Sequence, residues 1–186
     1  MSDYTAVSLE ELHVTRASAA ALAEANAFPT VATNYYKAQG VKYDAKRGQA
    51  TEQHPTGRLS VMAKADLYRE DKRIGGVSLF VSPEIGRTRN GKLDREFRLY
   101  NQLARALYPE IKDDQELAGI DVASLMDRFA QYPIGMFVTE TFASEPDAIT
   151  GKKTYIDAKT DVEAKELREK GWKAANYVQS VGKVKV

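Results

Sequence analysis

The sequence contains no cysteine. Disulfides, thiolate metal sites and cysteine nucleophiles are therefore excluded together, and the absence fits a reducing compartment. It has two histidines, His13 in an acidic N-terminal stretch and His54 within TEQHPTG. Neither has a sequence neighbour that would make it a general base or a metal ligand. There is no Walker loop and no GxGxxG, so a nucleotide-driven motor or a dehydrogenase has no support, and no cofactor is expected. No apolar run approaches the length that spans a bilayer, and MSDYTAVSLEELH lacks an uninterrupted apolar core. The expectation is a soluble cytoplasmic protein with no membrane partner. At 186 residues the chain fits one domain with a modest appendage: an arm or helix over 1–29 and a domain over 30–186.

What is present is charge, unevenly placed. The formal net charge is only +1, but residues 35–105 carry fifteen Lys and Arg against eight acids (net +7), and the flanking segments are each net −3. A basic middle between acidic ends points toward an anionic partner, provided the fold gathers the charges on one face. Within that middle, TNYYKAQGVKYDAKRG (33–48) interleaves Tyr35, Tyr36 and Tyr43 with Lys37, Lys42, Lys46 and Arg47. Aromatic faces beside cations are what a single-stranded nucleic acid requires, because bases stack on rings and lysine and arginine neutralise the backbone. Tyrosine is also a common strand former, so the same residues can simply cover a core.

Taken in order, Ser8-Leu-Glu-Glu11 is a capping box, and the alanine-rich run Arg16 to Asn26, stopped by Phe28-Pro29, predicts a helix within residues 1–28. Val31 to Tyr43 is a first strand. Arg58 to Tyr68 is a second, with Leu59, Val61, Ala63, Ala65 and Leu67 on a buried face and Arg58, Lys64 and Tyr68 on the outer one. Glu70-Asp-Lys-Arg73 turns into a third strand, Ile74 to Ile85, where Gly75-Gly76 suggests a bulge. The Pro83–Lys92 loop, with Arg87 and Arg89, reads as mobile and basic.

Leu93, Phe97, Tyr100, Ala104 and Leu107 form one apolar helical stripe ending near Tyr108-Pro109, with Arg95, Arg98 and Arg105 solvated. Glu110 to Glu116 is an acidic connector. Asp121 caps a helix through Phe129 that turns Val122, Leu125, Met126 and Phe129 inward. Pro133 to Phe142 is a fourth strand, and Ala143 to Gly151 is a polar turn region. Thr160-Asp-Val-Glu163 opens a helix that stops at Gly171, and the tail from Trp172 supplies a closing strand; Trp172 and Tyr177 could stack on a base, but a lone tryptophan at a helix exit is more often a packing residue.

Strand, strand, strand, helix, strand and a final strand after an inserted helix is the order of the OB-fold, a five-stranded, partly open barrel. Its second and third strands and neighbouring loops often bind oligonucleotides. The expected fold is mainly β with helices: such a barrel with a helix between strands 3 and 4, an N-terminal arm and an inserted helix before the last strand. Over about residues 30–185 the chain resembles phage-encoded single-stranded DNA-binding proteins of this type. The resemblance is carried by RLSVMAKADLYREDKRIGGVSLFVSPEI, LDREFRLYNQLARALYPE with KDDQELAGI, and NYVQSVGKV.

It implies sequence-independent coating of single-stranded DNA in replication and recombination, in the cytoplasm of an infected host, with phage or host replication proteins as further partners. Many such proteins end in an acidic tail. This sequence ends Gly182-Lys-Val-Lys-Val186, so either that tail is lacking here or partner recruitment works differently. The candidate phosphate contacts are Lys37, Lys42, Lys46, Arg47, Arg58, Lys64, Lys72, Arg73, Arg87 and Arg89, and the candidate stacking residues are Tyr35, Tyr36, Tyr43 and Tyr68. Alternation prevents all of these from facing one side.

Two rival classes stand beside this reading. Pro146-Asp147 followed by Asp157-Ala-Lys159 matches the PD-(D/E)xK pattern, in which two carboxylates hold Mg²⁺ and a lysine helps activate water for nuclease chemistry. A phage structural or adaptor protein would use the same barrel without DNA. The non-enzymatic, DNA-binding reading is the expectation carried forward.

Overall fold

A computed structural model describes residues 5–6, 34–158 and 160–185. The expected helix within 1–28, His13, the start of the first strand at Val31 and Lys159 lie outside the described residues. Thr5–Ala6 is a two-residue strand, β1. Strands β2 (Asn34–Arg47), β3 (Leu59–Arg69) and β4 (Lys72–Val81) follow, then helices α1 (Arg95–Leu107), α2 (Asp114–Ala118) and α3 (Val122–Gln131). Strands β5 (Ile134–Ala143) and β6 (Tyr155–Asp157), helix α4 (Asp161–Glu169) and strand β7 (Lys173–Gly182) complete the chain.

The seven strands form one antiparallel sheet in the order β4-β3-β2-β5-β6, with β1 on β2 and β7 on β5. This sheet is open. β7 pairs with β5 alone and β4 with β3 alone among the described residues, so the tail does not close a ring by hydrogen bonds. β2 pairs with β5 only through 34–38. It then bulges between Gly40 and Lys42 and continues along β3 to Arg47, four residues past the predicted strand end.

The predicted alternation of β3 is present: Leu59, Val61, Ala63, Ala65 and Leu67 are buried. The predicted irregularity at Gly75-Gly76 is a register shift that leaves Ile74 unpaired between Gly75, opposite Leu67, and Arg73, opposite Tyr68. The connecting turn places Glu70 and Asp71 at φ 49 and 61, the left-handed pair that a two-residue hairpin demands.

Helices α1 and α3 cover the inner face. The predicted stripe is buried: Phe97, Tyr100, Ala104 and Leu107 on α1, Leu93 just before it, and Val122, Leu125, Met126 and Phe129 on α3. Asp94, Asp121 and Thr160 accept from the backbone N–H three residues on, capping α1, α3 and α4. Gly171 stands at φ 79 just beyond α4. Three elements were not foreseen, the first being β1, whose Thr5 and Ala6 lie opposite Arg47 and Lys46 of β2. The acidic connector contains the single-turn helix α2, and the segment after the polar turn contributes β6, which pairs with β5 at Thr141–Ala143.

The close approach of α3 to β2 at the bulge depends on Gly40. A Cβ there would lie 2.8 Å from Phe129 Cδ1 and 3.2 Å from that residue's backbone carbon. Gly40→Ala should therefore force α3 off the sheet and cost about 1–3 kcal/mol, the usual range for overpacking. A urea titration with a lower midpoint and unchanged slope is the expected result. An unmoved midpoint would show that the contact is slack.

Candidate nucleic-acid interface

Residues opposite each other on antiparallel strands share a face of the sheet. Cross-strand register therefore assembles the outer surface of β2, β3 and β4 row by row. Lys46 lies opposite Ser60; Asp44, Met62 and Phe80 form the next row; Lys42, Lys64 and Ser78 the third. At the far end Lys37, Tyr68 and Arg73 form another. Shallow grooves run over these rows, one along Asp44, Lys46, Ser60, Met62 and Phe80, another along Val41, Lys42, Lys64, Asp66, Arg73 and Ser78.

The structure separates the four candidate tyrosines. Tyr35 and Tyr68 lie on the outer face. Tyr36 and Tyr43 turn inward and pack partly buried against the core: Tyr36 by simple alternation from Tyr35, and Tyr43 because the bulge at Val41 reverses the alternation between it and Tyr35. The Tyr43 hydroxyl is pushed above its ordinary pKa chiefly by burial, with Asp127 and Asp121 adding to the effect, which fits its position under α3. Tyr35 is also engaged. Its hydroxyl accepts from the Lys185 N–H at 2.7 Å, its ring meets Phe137 edge-on at 5.3 Å, and the Lys185 ammonium stands 5.2 Å from its centroid.

The candidate cations divide in the same way. Lys37 pairs with Asp71 at 2.6 Å, Arg73 with Asp66 at 2.8 Å, and Lys46 with Asp44 at 3.0 Å. The Lys37 ammonium is raised in pKa and the Asp71 carboxyl lowered by their shared hydrogen bond. Arg87 donates to the Gly91 carbonyl within a small hydrogen-bonded hairpin, Arg87 to Leu93, that replaces the expected mobile loop. Arg89 is exposed on that hairpin, and Lys72 is exposed at the end of β4. Lys42 and Lys64 are exposed, face each other across the β2–β3 ladder, and have no ion pair or hydrogen bond of their side chains among the described residues.

Arg47 and Arg58 do structural work at the base of the 48–58 loop. Arg47 donates to Glu84 at 2.9 Å and to the Gly57 carbonyl at 2.8 Å. Arg58 engages both oxygens of Asp94, the α1 cap, and donates to the Glu84 carbonyl at 2.9 Å. Glu84 in turn accepts from the Leu59 N–H. Glu96 lies 3.5 Å from Arg58; burial raises its carboxyl pKa more than that guanidinium lowers it.

Phe80 and Met62 belong to this surface, although neither was singled out from the sequence. Phe80 is 51% exposed between the buried Leu79 and Val81, and the alternation Val77, Leu79, Val81 against Ser78 and Phe80 was the available signal.

The two carboxylates of the nuclease pattern serve local structure. The Asp147 carboxylate caps its own turn, accepting from Ile149 and Thr150, and Asp157 accepts from the Thr141 hydroxyl across β5 and β6. Among the described residues no group of three or more His, Asp or Glu side chains is placed to hold a metal ion. No helix among them is long and apolar enough to cross a membrane. No protein-family model matches the chain, and comparison with curated proteins and with solved structures likewise returns no match.

Proposed function

We propose that the protein binds single-stranded DNA without sequence preference along the outer face of β2, β3 and β4, coating the strand during phage replication and recombination in the host cytoplasm. The observation that carries this reading is Lys42 opposite Lys64. Like charges directly opposed on a sheet cost stability, and neither ammonium has an ion pair among the described residues. A backbone of phosphates passing between β2 and β3 would pair with both ammonium groups. Phe80, Met62 and Tyr68 offer flat or polarisable surface on either side of that pair, so charge and stacking alternate along one path. The open sheet is read as an OB-type barrel whose seam between β4 and β7 stays unpaired. In that frame β3 and β4 are the second and third barrel strands, the pair that commonly faces oligonucleotides.

The test is a salt series. Lys64→Ala should flatten the log affinity against log salt plot for oligothymidine by about 0.7, the contribution of one phosphate contact on a single strand. Lys112→Ala, on the helical side where the ammonium bonds the Pro109 carbonyl, should leave it unchanged. Equal slopes in both variants and the unaltered protein would remove the outer face from consideration.

A further inference from the structure

Where β4 and β7 fail to pair, the two edges bound a groove of about 590 Å³. Its walls include Phe80 on β4 and Tyr177 on β7, 51% and 41% exposed, and its floor is the first turn of α1 with Arg95 and Leu99. Arg95 is exposed, its guanidinium 5.4 Å from the Tyr177 ring centroid, and it has no ion pair among the described residues. Glu96, on the same floor, is turned toward Arg58. Among the described residues each edge strand pairs on one side only, so alternate residues of β4 and β7 direct N–H and C=O groups toward the gap. The groove adjoins the proposed DNA path directly, since Phe80 and Ser78 belong to both.

We propose that this seam is a nucleobase subsite. It takes one unpaired base, which leaves the outer sheet face at Phe80 and stacks on Phe80 and Tyr177, with Arg95 on the adjoining phosphate. This rests on the single-stranded DNA reading and adds to it a defined point where the strand turns inward. Exposed aromatics bring stacking area, Arg95 brings charge, and the free strand edges bring donors and acceptors for the base's own edge. An extended peptide would use the strand edges but would give no role to Arg95 beside two exposed rings.

Photocrosslinking of a 5-iododeoxyuridine oligonucleotide, mapped by peptide mass spectrometry, tests the assignment beside affinity measurements on Phe80→Leu and Tyr177→Leu. Both side chains are too exposed for these changes to threaten folding. The expected result is crosslinking to Tyr177, with affinity lowered about 5- to 150-fold by Tyr177→Leu, the range for one lost stacking partner, and the salt slope unaltered; Phe80→Leu, which touches both the outer path and the seam, should lower affinity in the same range. If the oligonucleotide binds the outer face but crosslinks only elsewhere, and Tyr177→Leu binds as tightly as the unaltered protein, the seam assignment fails alone. If the unaltered protein does not bind oligothymidine at all, the underlying DNA reading fails with it.

Discussion

Exchanging Lys42 and Lys64 together for glutamate is expected to lower oligothymidine affinity on the order of 100-fold at low salt, as two phosphate contacts are lost and reversed, with little change in stability. The double variant replaces one opposed like-charge pair by another, so the sheet is no worse off. Lys64→Glu alone places opposite charges across the ladder, and it should stabilise the fold by about 0.2–1 kcal/mol while weakening binding. Opposite signs in the two measurements would mark the lysine pair as kept for a ligand at the expense of the fold. Paired urea and fluorescence titrations give both quantities. A double variant that binds within a few-fold of the unaltered protein would place the phosphate path elsewhere.

Arg58→Ala is expected to act the other way round, lowering stability by about 2–3 kcal/mol and leaving the salt slope of binding unchanged. Removing one partner of a buried ion pair costs about 3–5 kcal/mol, and here both side chains are about one-fifth exposed, 20% for Arg58 and 22% for Asp94, so the lower figure applies. The loss has several parts. Asp94 keeps its cap on α1 but loses its counter-charge, the Glu84 carbonyl loses a donor, and the 48–58 loop loses its tie to the start of α1. Gly86 belongs to the same clasp, since a Cβ there would collide with Asp94 and sit 2.7 Å from the Arg58 guanidinium. Chemical denaturation separates the outcomes. Intact stability with a flattened salt slope would return Arg58 to the list of phosphate contacts.

Much of this architecture was readable because it depends on local rules. The alternation of Leu59 to Leu67 set the face of β3, and Asp121, Thr160 and Gly171 marked helix ends through hydrogen bonds that span three or four residues. Candidate site residues were harder to place because one inserted residue reverses a strand. Strict alternation from Tyr35 would put Tyr43 on the same face; the bulge at Val41 instead turns Tyr43 to the core and brings Lys42 and Lys46 outward. Gly40 was the available sign, a glycine inside a strand pattern.

The ion pairs of Arg47 with Glu84 and of Arg58 with Asp94 join residues 37 and 36 positions apart, and no spacing rule distinguishes such cations from free ones. The elements missed, β1, α2 and β6, have two, five and three residues, too few to show a period. The seam between β4 and β7 exists only through the three-dimensional path, so the sequence offered stacking for Tyr177 only as the weaker alternative to packing.

The most direct test of the central claim is an equilibrium titration of the unaltered protein with oligothymidine and with duplex of equal length, at several salt concentrations. The account predicts that the single strand binds more tightly than the duplex, with affinity falling as salt rises by about 0.7 in log–log slope for each phosphate engaged. Absence of binding at low salt, or preference for the duplex, would contradict it.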